Sequence, residues 1–279
     1  KAWSKAEMIA PKQFREEISP YFNANPKKYI SALVSEDCWQ ATPGKVVDLV
    51  RNLGIAAGGT VMEDCRVLEA CREGKYTSVL VQTHDKKYVE YRTEHFVNAL
   101  GSGAGKLCDS MGIDAGLYPV RHQAFITRRL PMLGKHGTNL DMLIDRQDYK
   151  GFSAVYGQQI AYTGQIIGCA SPKLDAMRID KNLKVNTKAF LEIVSEMFSE
   201  WIPDLAGVGI QAVWAGYYTE PRYIVDPELG LFVGMCGHGF MLSQYIARMY
   251  VDKLLGRPVP EYFEKLKLNG PGLSEKAFK

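Results

Sequence analysis

The apolar positions of this chain follow two rhythms. Helical spacing, with apolar residues three and four apart, marks residues 44–53, 187–201 and 240–255. Over 187–201, Phe190, Ile193, Val194, Met197, Phe198 and Trp201 form one stripe, with Asn186 placed as N-cap and Pro203 as the stop. Over 44–53, Val46, Val47, Leu49 and Val50 follow Pro43, and Gly54 can end the helix; over 240–255, Gly256 and Pro258 close it. A further helix is expected over 4–18, where Ser4 and Glu7 have the spacing of a capping box and Ile9 and Phe14 stand among charges.

The other rhythm is that of strands. It covers 29–38, 60–68, 78–83, 88–100, 119–128, 142–146, 151–156, 160–170, 208–218 and 231–235, with Gly74 and the Asp85-Lys86-Lys87 turn as separators in the first group. The order of helix, strands, glycine-rich turn and helix up to residue 117 corresponds to the second half of a nucleotide-binding α/β domain. Residues 118–212 read as a sheet with a helix across it. The last twenty or so residues, rich in Lys, Gly and Pro, wrap or dangle.

Composition narrows the class without naming it. With 46% hydrophobic and 23% charged residues in a 279-residue chain, a sizeable folded core is expected. The net charge of +3 and the lack of long like-charge runs argue against nucleic acid or an anionic membrane as partner. No apolar stretch is long enough for a transmembrane helix. Cys38, Cys65, Cys71, Cys108, Cys169 and Cys236 are scattered, so no metal site is expected and reduced thiols in a cytoplasmic setting are. The chain begins Lys1-Ala2-Trp3 without an initiator Met, which suggests that an N-terminal segment is missing.

The segment FVNALGSGAGKLCDSMG, residues 96–112, carries the first chemical signal. A strand, a glycine-rich turn and a helix make an anion site, because the helix N-terminus presents unpaired N–H groups. The spacing Gly101, Gly103, Gly105 does not match G-x-G-x-x-G, and Asp114 comes too soon to hold a ribose. A P-loop is excluded as well, since Lys106 precedes Leu107 rather than Ser or Thr. Two readings stay open: a corner that packs helix and strand closely, or a ligand site. The segment 230–256, GLFVGMCGHGFMLSQYIARMYVDKLLG, repeats the same plan, and two such turns on one sheet would converge on a ligand across the strand ends.

Five segments, in order, carry a family resemblance. VNALGSGAG resembles the V-N-A-x-G-x-x-[AS] segment of the D-amino-acid oxidase superfamily of flavoproteins, which includes glycine oxidase and the sarcosine oxidases and dehydrogenases. YPVRHQAFIT, IAYTGQIIGCASP, WAGYYTEP and GLFVGMCGHGF resemble the strand leading into the substrate domain, its hairpin, the closing W-A-G segment and the G-L-[FY]-V strand with its G-H-G-[FY] turn. The wording of the last two is most similar to the sarcosine or dimethylglycine dehydrogenase branch.

The resemblance implies an α/β fold with an α+β substrate domain, that is, the C-terminal part of a two-domain FAD-dependent amine oxidoreductase with a mixed substrate-domain sheet covered by helices. The expected division is 1–117 for the remainder of the FAD-binding domain, 118–212 for the substrate domain and 213–279 for the return. FAD is the implied cofactor, and a small amino acid or amine the implied substrate. Family members carry G-x-G-x-x-G at the N-terminus, so a companion chain or a missing N-terminal segment is expected to supply it.

The same resemblance implies roles for single residues. Val67 lies beside the adenine, Ala99, Gly101 and Ser102 against the ribityl or pyrophosphate part, and Gly237, His238, Gly239 and Phe240 at the flavin ring, through backbone N–H groups rather than the imidazole. For the substrate carboxylate, Arg222 is placed ahead of Arg121, because a guanidinium fork binds carboxylate in two places. Tyr156, Tyr162, Tyr217 and Tyr218 are candidate pocket walls. No catalytic side chain is assigned, since flavin N5 carries the chemistry once the substrate is aligned. The alternatives are a non-catalytic assembly subunit with a vestigial site, favoured by E-P-R where relatives read T-P-D, and oxidation of a 2-hydroxy acid or glycerol phosphate.

Overall fold

The computed structural model describes residues 6–18, 27, 29–35, 39–130, 133, 140–145, 152–160, 163–172, 187–203 and 206–271. In chain order its elements are β1 (Ala6–Ile9), α1 (Pro11–Gln13), β2 (Ala32–Ser35), α2 (Pro43–Ala56), β3 (Arg66–Glu73), β4 (Tyr76–Gln82), β5 (Tyr88–Thr93), α3 (Ala104–Ser110), β6 (Tyr118–Thr127), β7 (Leu143–Asp145), β8 (Phe152–Ile160), β9 (Gln165–Pro172), α4 (Thr187–Trp201), β10 (Ile210–Glu220), β11 (Ile224–Asp226), β12 (Leu231–Val233) and α5 (Gly239–Leu254). Among the described residues no helix is long and apolar enough to cross a membrane. Expected elements at Asn186, Arg146 and Gly151 lie outside the described residues.

The chain forms two compact units. One contains Lys1–Gln40 and Arg121–Gly216, the other Ala41–Val120 and Tyr217–Lys279. Residues 1–40 therefore fall with the middle of the chain, whereas the sequence division put them with 41–117. The expected helix over 4–18 is also replaced. Ala6–Ile9 is a strand, paired antiparallel with Ala32–Ser35, and only a short helix and a π-helical turn follow at 11–18. Pro11 explains this: inside a helix it would lose one hydrogen bond and clash with the carbonyl of Glu7. Ile9 and Phe14 are buried all the same, in the core of this first unit.

The first unit is built on a five-stranded sheet of order β10-β6-β9-β8-β7. Helix α4 lays its stripe on this sheet, so Phe190, Met197, Phe198 and Trp201 bury against Phe125, Val155 and Ile166. Phe125 and Phe198 meet edge-on with centroids 5.2 Å apart. The β8–β9 hairpin turns at Thr163-Gly164, later than the sequence break between 156 and 160 suggests. Gly168 is obligatory in it: a Cβ there would lie 2.5 Å from the Tyr156 carbonyl oxygen and 2.6 Å from the Phe125 ring. The Trp201 indole and the Tyr29 hydroxyl both donate to Asp145 Oδ2, at 3.1 and 3.3 Å. Burial, followed by the Asp145 charge, raises the Tyr29 pKa above its usual value.

The second unit carries the β3-β4-β5 meander, antiparallel throughout, with β3 beginning at Arg66 because its partner strand ends at Gln82. Leu107 of α3 packs with Ala70, Val79 and Val81 of this meander. Ala104 and Cys108 of the same helix pack with Ile224, Leu231 and Val233 of the β11–β12 pair. Helix α2 runs past Gly54 to Ala56 and is closed instead by Gly58, at φ +92°. A third cluster joins Ile246, Met249 and Tyr250 of α5 to Phe263 and Leu266, so the described part of the C-terminal stretch wraps rather than dangles.

Candidate cofactor site

The second unit brings the two glycine-rich turns together through one residue. Asn98 forms a parallel bridge with Leu231: its N–H donates to the Gly230 carbonyl at 2.8 Å, and its own carbonyl accepts from the Phe232 N–H at 3.0 Å. Parallel pairing points both segments the same way, so the turn at 101–103 and the turn at 236–238 follow at the same end of the pair. Ligand sites of open α/β sheets lie at such carboxyl ends. The expected strand 88–100 stops at Thr93, and its remainder is reduced to this bridge.

The side chain of Asn98 then fixes the first turn. It is 1% exposed, with Nδ2 donating to the Ala104 carbonyl at 3.0 Å and Oδ1 accepting from the Leu100 N–H at 3.2 Å. Behind it, burial raises the pKa of the Cys108 thiol, a shift that the Asn98 hydrogen bond opposes. Asn98 was missed as a site residue, although it is the second letter of the V-N-A segment. Only the pairing across to residues 230–232 reveals its position as a latch.

The second turn is equally crowded on its inner side. Gly237 lies under the Tyr218 ring, where a Cβ would come within 2.7 Å of a ring carbon. The His238 Nδ1 and the Tyr223 hydroxyl share a hydrogen bond at 2.7 Å, so the imidazole is held by the protein itself. Helix α5 starts directly after, with no side-chain hydrogen bond capping its first turn. Its leading N–H groups are therefore donors with no partner inside the helix.

With this frame in place, the comparisons with known proteins are decisive for the family. A model of the family described as FAD dependent oxidoreductase (DAO) matches residues 2–253. The chain belongs to this family. No curated protein matches it in a sequence search. Among solved structures, L-proline dehydrogenase from P. horikoshii is similar at 24% identity and TM-score 0.73, covering 94% of this chain and 68% of that one. Glycine oxidase from Geobacillus kaustophilus is similar at 15% identity and TM-score 0.74, covering 96% of this chain and 67% of that one. Iminodiacetate oxidase from Chelativorans sp. BNC1 is similar at 14% identity and TM-score 0.65, covering 96% and 68%. These likenesses are of fold.

Membership in the DAO family brings FAD, and the residues of the second unit fit it. Ala99, Gly101 and Ser102 are exposed, and above Gly101, at φ +55°, a Cβ would meet nothing within 4 Å. Open space over a turn of small residues suits the close approach of a ribityl or pyrophosphate group. The uncapped start of α5 suits an anionic edge. Gly237, His238 and Gly239 are half-buried there, and Phe240 is exposed. Val67 packs against Ala70, Val79, Val81 and Leu107, so its side chain has a core role whatever it also touches.

The substrate residues divide differently. Arg222 donates through Nη1 to the Gly270 carbonyl at 2.9 Å and through Nη2 to the Leu268 carbonyl at 2.5 Å. Its fork is held by the C-terminal stretch. Tyr218 is brought to Gly237, as described. Tyr156 and the buried Arg121 belong to the first unit, and Tyr162 lies outside the described residues.

Proposed function

We propose that this chain is the larger part of an FAD-dependent enzyme that oxidises the amine of a small amino acid or N-methyl amino acid, giving an imine that hydrolyses. FAD, when bound, supplies the hydride acceptor. The chain's own residues hold and orient. The turn at 99–102 would hold the ribityl or pyrophosphate part, and the N–H groups of 237–240 would stabilise negative charge on the reduced ring. A helix N-terminus stabilises such charge by roughly 0.3–1 kcal/mol when exposed and up to about 2 when partly buried. Tyr218, set against Gly237, provides an aromatic wall beside the second turn. Residues 41–120 and 217–279 act as the cofactor side. A companion chain or preceding segment with G-x-G-x-x-G completes the cofactor site.

The observation that carries this reading is the parallel Asn98–Leu231 bridge, which turns two remote glycine-rich corners to one end of a strand pair. The fold likeness to L-proline dehydrogenase, glycine oxidase and iminodiacetate oxidase supports an amine substrate. The test is anaerobic mixing of the native protein with sarcosine, glycine, proline or dimethylglycine while its visible absorbance is followed. Bleaching by one of them is the expected result. Bleaching only by a 2-hydroxy acid or glycerol phosphate would move the substrate class.

The commitment of Arg222 to backbone carbonyls favours a second reading, an assembly subunit with a vestigial site. A colourless or unbleachable protein is its signature.

A further inference from the structure

The second glycine-rich turn stands on a short segment just ahead of it in the chain. Residues 218–223 meet residues 234–238 at three places. The Tyr218 ring lies over Gly237. Gly234, at φ +73°, runs so close to the Arg222 carbonyl that a Cβ there would overlap its oxygen. The Tyr223 hydroxyl and His238 Nδ1 share the 2.7 Å hydrogen bond, with the two rings edge to face. These contacts hold a backbone that does not adopt its shape unaided, since Cys236, a residue with a side chain, stands at φ +46°. Left-handed positions of this kind persist only where their surroundings impose them. Tyr223 is 1% exposed, so its hydroxyl reaches the turn from inside the core.

The same segment is gripped from the C-terminal stretch. The Leu268 and Gly270 carbonyls hold the Arg222 fork, and Phe263 and Leu266 enter the cluster that contains Tyr223, Ile246, Met249 and Tyr250. Met235 and Cys236, which belong to the turn, pack against this cluster. The stretch is fastened at its rim as well, by Lys253 Nζ to Glu264 Oε1 at 2.8 Å and by Lys267 Nζ to Glu228 Oε1 at 2.9 Å. Largely exposed pairs of this kind contribute little. The path from Gly270 to His238 therefore runs through two side chains that are adjacent in the sequence: Arg222 faces the stretch, and Tyr223 faces the turn.

We propose that Arg222 and Tyr223 are positioning residues for the cofactor: they carry the anchorage of residues 263–270 to the N–H groups of 237–240, and so set how strongly the reduced ring of FAD is stabilised. The inference rests on the reading above that these N–H groups act on the reduced ring, and it is independent of the substrate. Donors already held in place stabilise charge more than donors that must be ordered as the charge appears. The helix N-terminus adds to this only within its first turn, so a small displacement of 237–240 is felt. Loosening the turn therefore disfavours the reduced form and lowers the reduction potential.

The test measures the two-electron reduction potential of bound FAD in the native protein, with any co-purifying chain, and in its variants. Tyr223→Phe removes the hydroxyl and keeps the buried ring, and Arg222→Met removes the fork. Lys253→Gln is the control: it breaks a rim contact of the same stretch and leaves Arg222 and Tyr223 in place. The expected result is that Tyr223→Phe and Arg222→Met each stabilise reduced over oxidised FAD about threefold to tenfold less than wild type, a fall of about 15–30 mV for a two-electron couple. The control keeps the wild-type potential. Amides 236–242 exchange faster in both variants, including Arg222→Met, whose lost bonds lie at residues 268 and 270. Unfolding midpoints measured alongside keep every reading on folded protein. A purely structural role lowers the midpoint and leaves the potential unchanged, and that result overturns the proposal, as does a control that falls as far as the two variants. Gly237→Ala, which disturbs the turn directly, separates the proposal from the reading beneath it. A potential lowered by Gly237→Ala and unmoved by Tyr223→Phe and Arg222→Met leaves the turn at the flavin and refutes the positioning; a potential unmoved by all of them, or a native protein without FAD, refutes both.

Discussion

Substituting Asn98 by Ala tests the residue on which both turns depend. The side chain is 1% exposed and makes two hydrogen bonds, from Nδ2 to the Ala104 carbonyl at 3.0 Å and from the Leu100 N–H to Oδ1 at 3.2 Å. Each neutral bond contributes about 0.5–1.5 kcal/mol net, so losing both costs about 1–3 kcal/mol. Leu100 is exposed, and its N–H regains water, which pulls the sum towards about 2. The main-chain bonds of Asn98 to Gly230 and Phe232 do not involve the side chain and remain. For a chain of this size the loss corresponds to a fall in unfolding midpoint of about 3–4 °C. Asn98→Asp is expected to be worse than Asn98→Ala, because it turns an oxygen instead of an N–H towards the Ala104 carbonyl and places a charge where water is excluded. Thermal unfolding of the three proteins, with FAD release followed by fluorescence, gives the order Asn, Ala, Asp in both stability and retention. An Asn98→Ala protein within about 0.5 kcal/mol of wild type, or an Asp variant no weaker than the Ala variant, refutes the latch.

Three further outcomes follow from single contacts. Gly237→Ala forces a methyl to within 2.7 Å of the Tyr218 ring, so it should cost about 1–3 kcal/mol and weaken FAD binding, and the added Tyr218→Ala change should restore much of the stability lost, as read by urea titration. Arg222→Met removes two charge-assisted bonds to the C-terminal stretch; the unfolding midpoint should fall and residues 261–270 should exchange faster, with KM for the substrate unchanged, whereas a raised KM at constant stability would reinstate the carboxylate role. Tyr250 is buried, and burial first, then the Asp226 charge, raises its pKa from 10.0 to about 12. Its protonated form is therefore favoured in the folded state, so the contribution is complete below about pH 10 and is lost as the pH climbs through about 12. Wild type should lose more stability between these pH values than Tyr250→Phe, and parallel urea curves for the two proteins at both ends would exclude the effect.

Much of this architecture is legible in the chain because periodic burial writes it there. The α4 stripe lies on the sheet as its spacing requires, and the paired turns at 101 and 237 follow from two repeats of strand, glycine and helix. What the spacing does not carry is competition between elements. Residues 4–18 hold good helix signals, but Pro11 divides them, and the first part finds better hydrogen bonding as a strand against Ala32–Ser35. Helix α2 runs past Gly54 because the glycine is tolerated inside a helix, whereas the left-handed backbone at Gly58 is what ends it. Asn98 is invisible for a different reason: its partners lie 6 and more than 130 positions downstream, and no local pattern joins the two.

Arg222 shows why a binding residue is harder to read than a fold. A guanidinium selects planar oxygen geometry, and a substrate carboxylate and a pair of backbone carbonyls both provide it. An irregular C-terminal stretch has carbonyls that no ladder consumes, and burying them unpaired is costly. Phe263 and Leu266 bring that stretch against the second unit, and Asp226 accepts the Leu268 N–H at 3.4 Å while the Leu268 and Gly270 carbonyls take the Arg222 fork. Burial of these two side chains thus sets backbone carbonyl oxygens within reach of the arginine fork. The motif around Arg222 contains nothing about Phe263, so the outcome is set some forty residues downstream of the letters from which a substrate role is inferred.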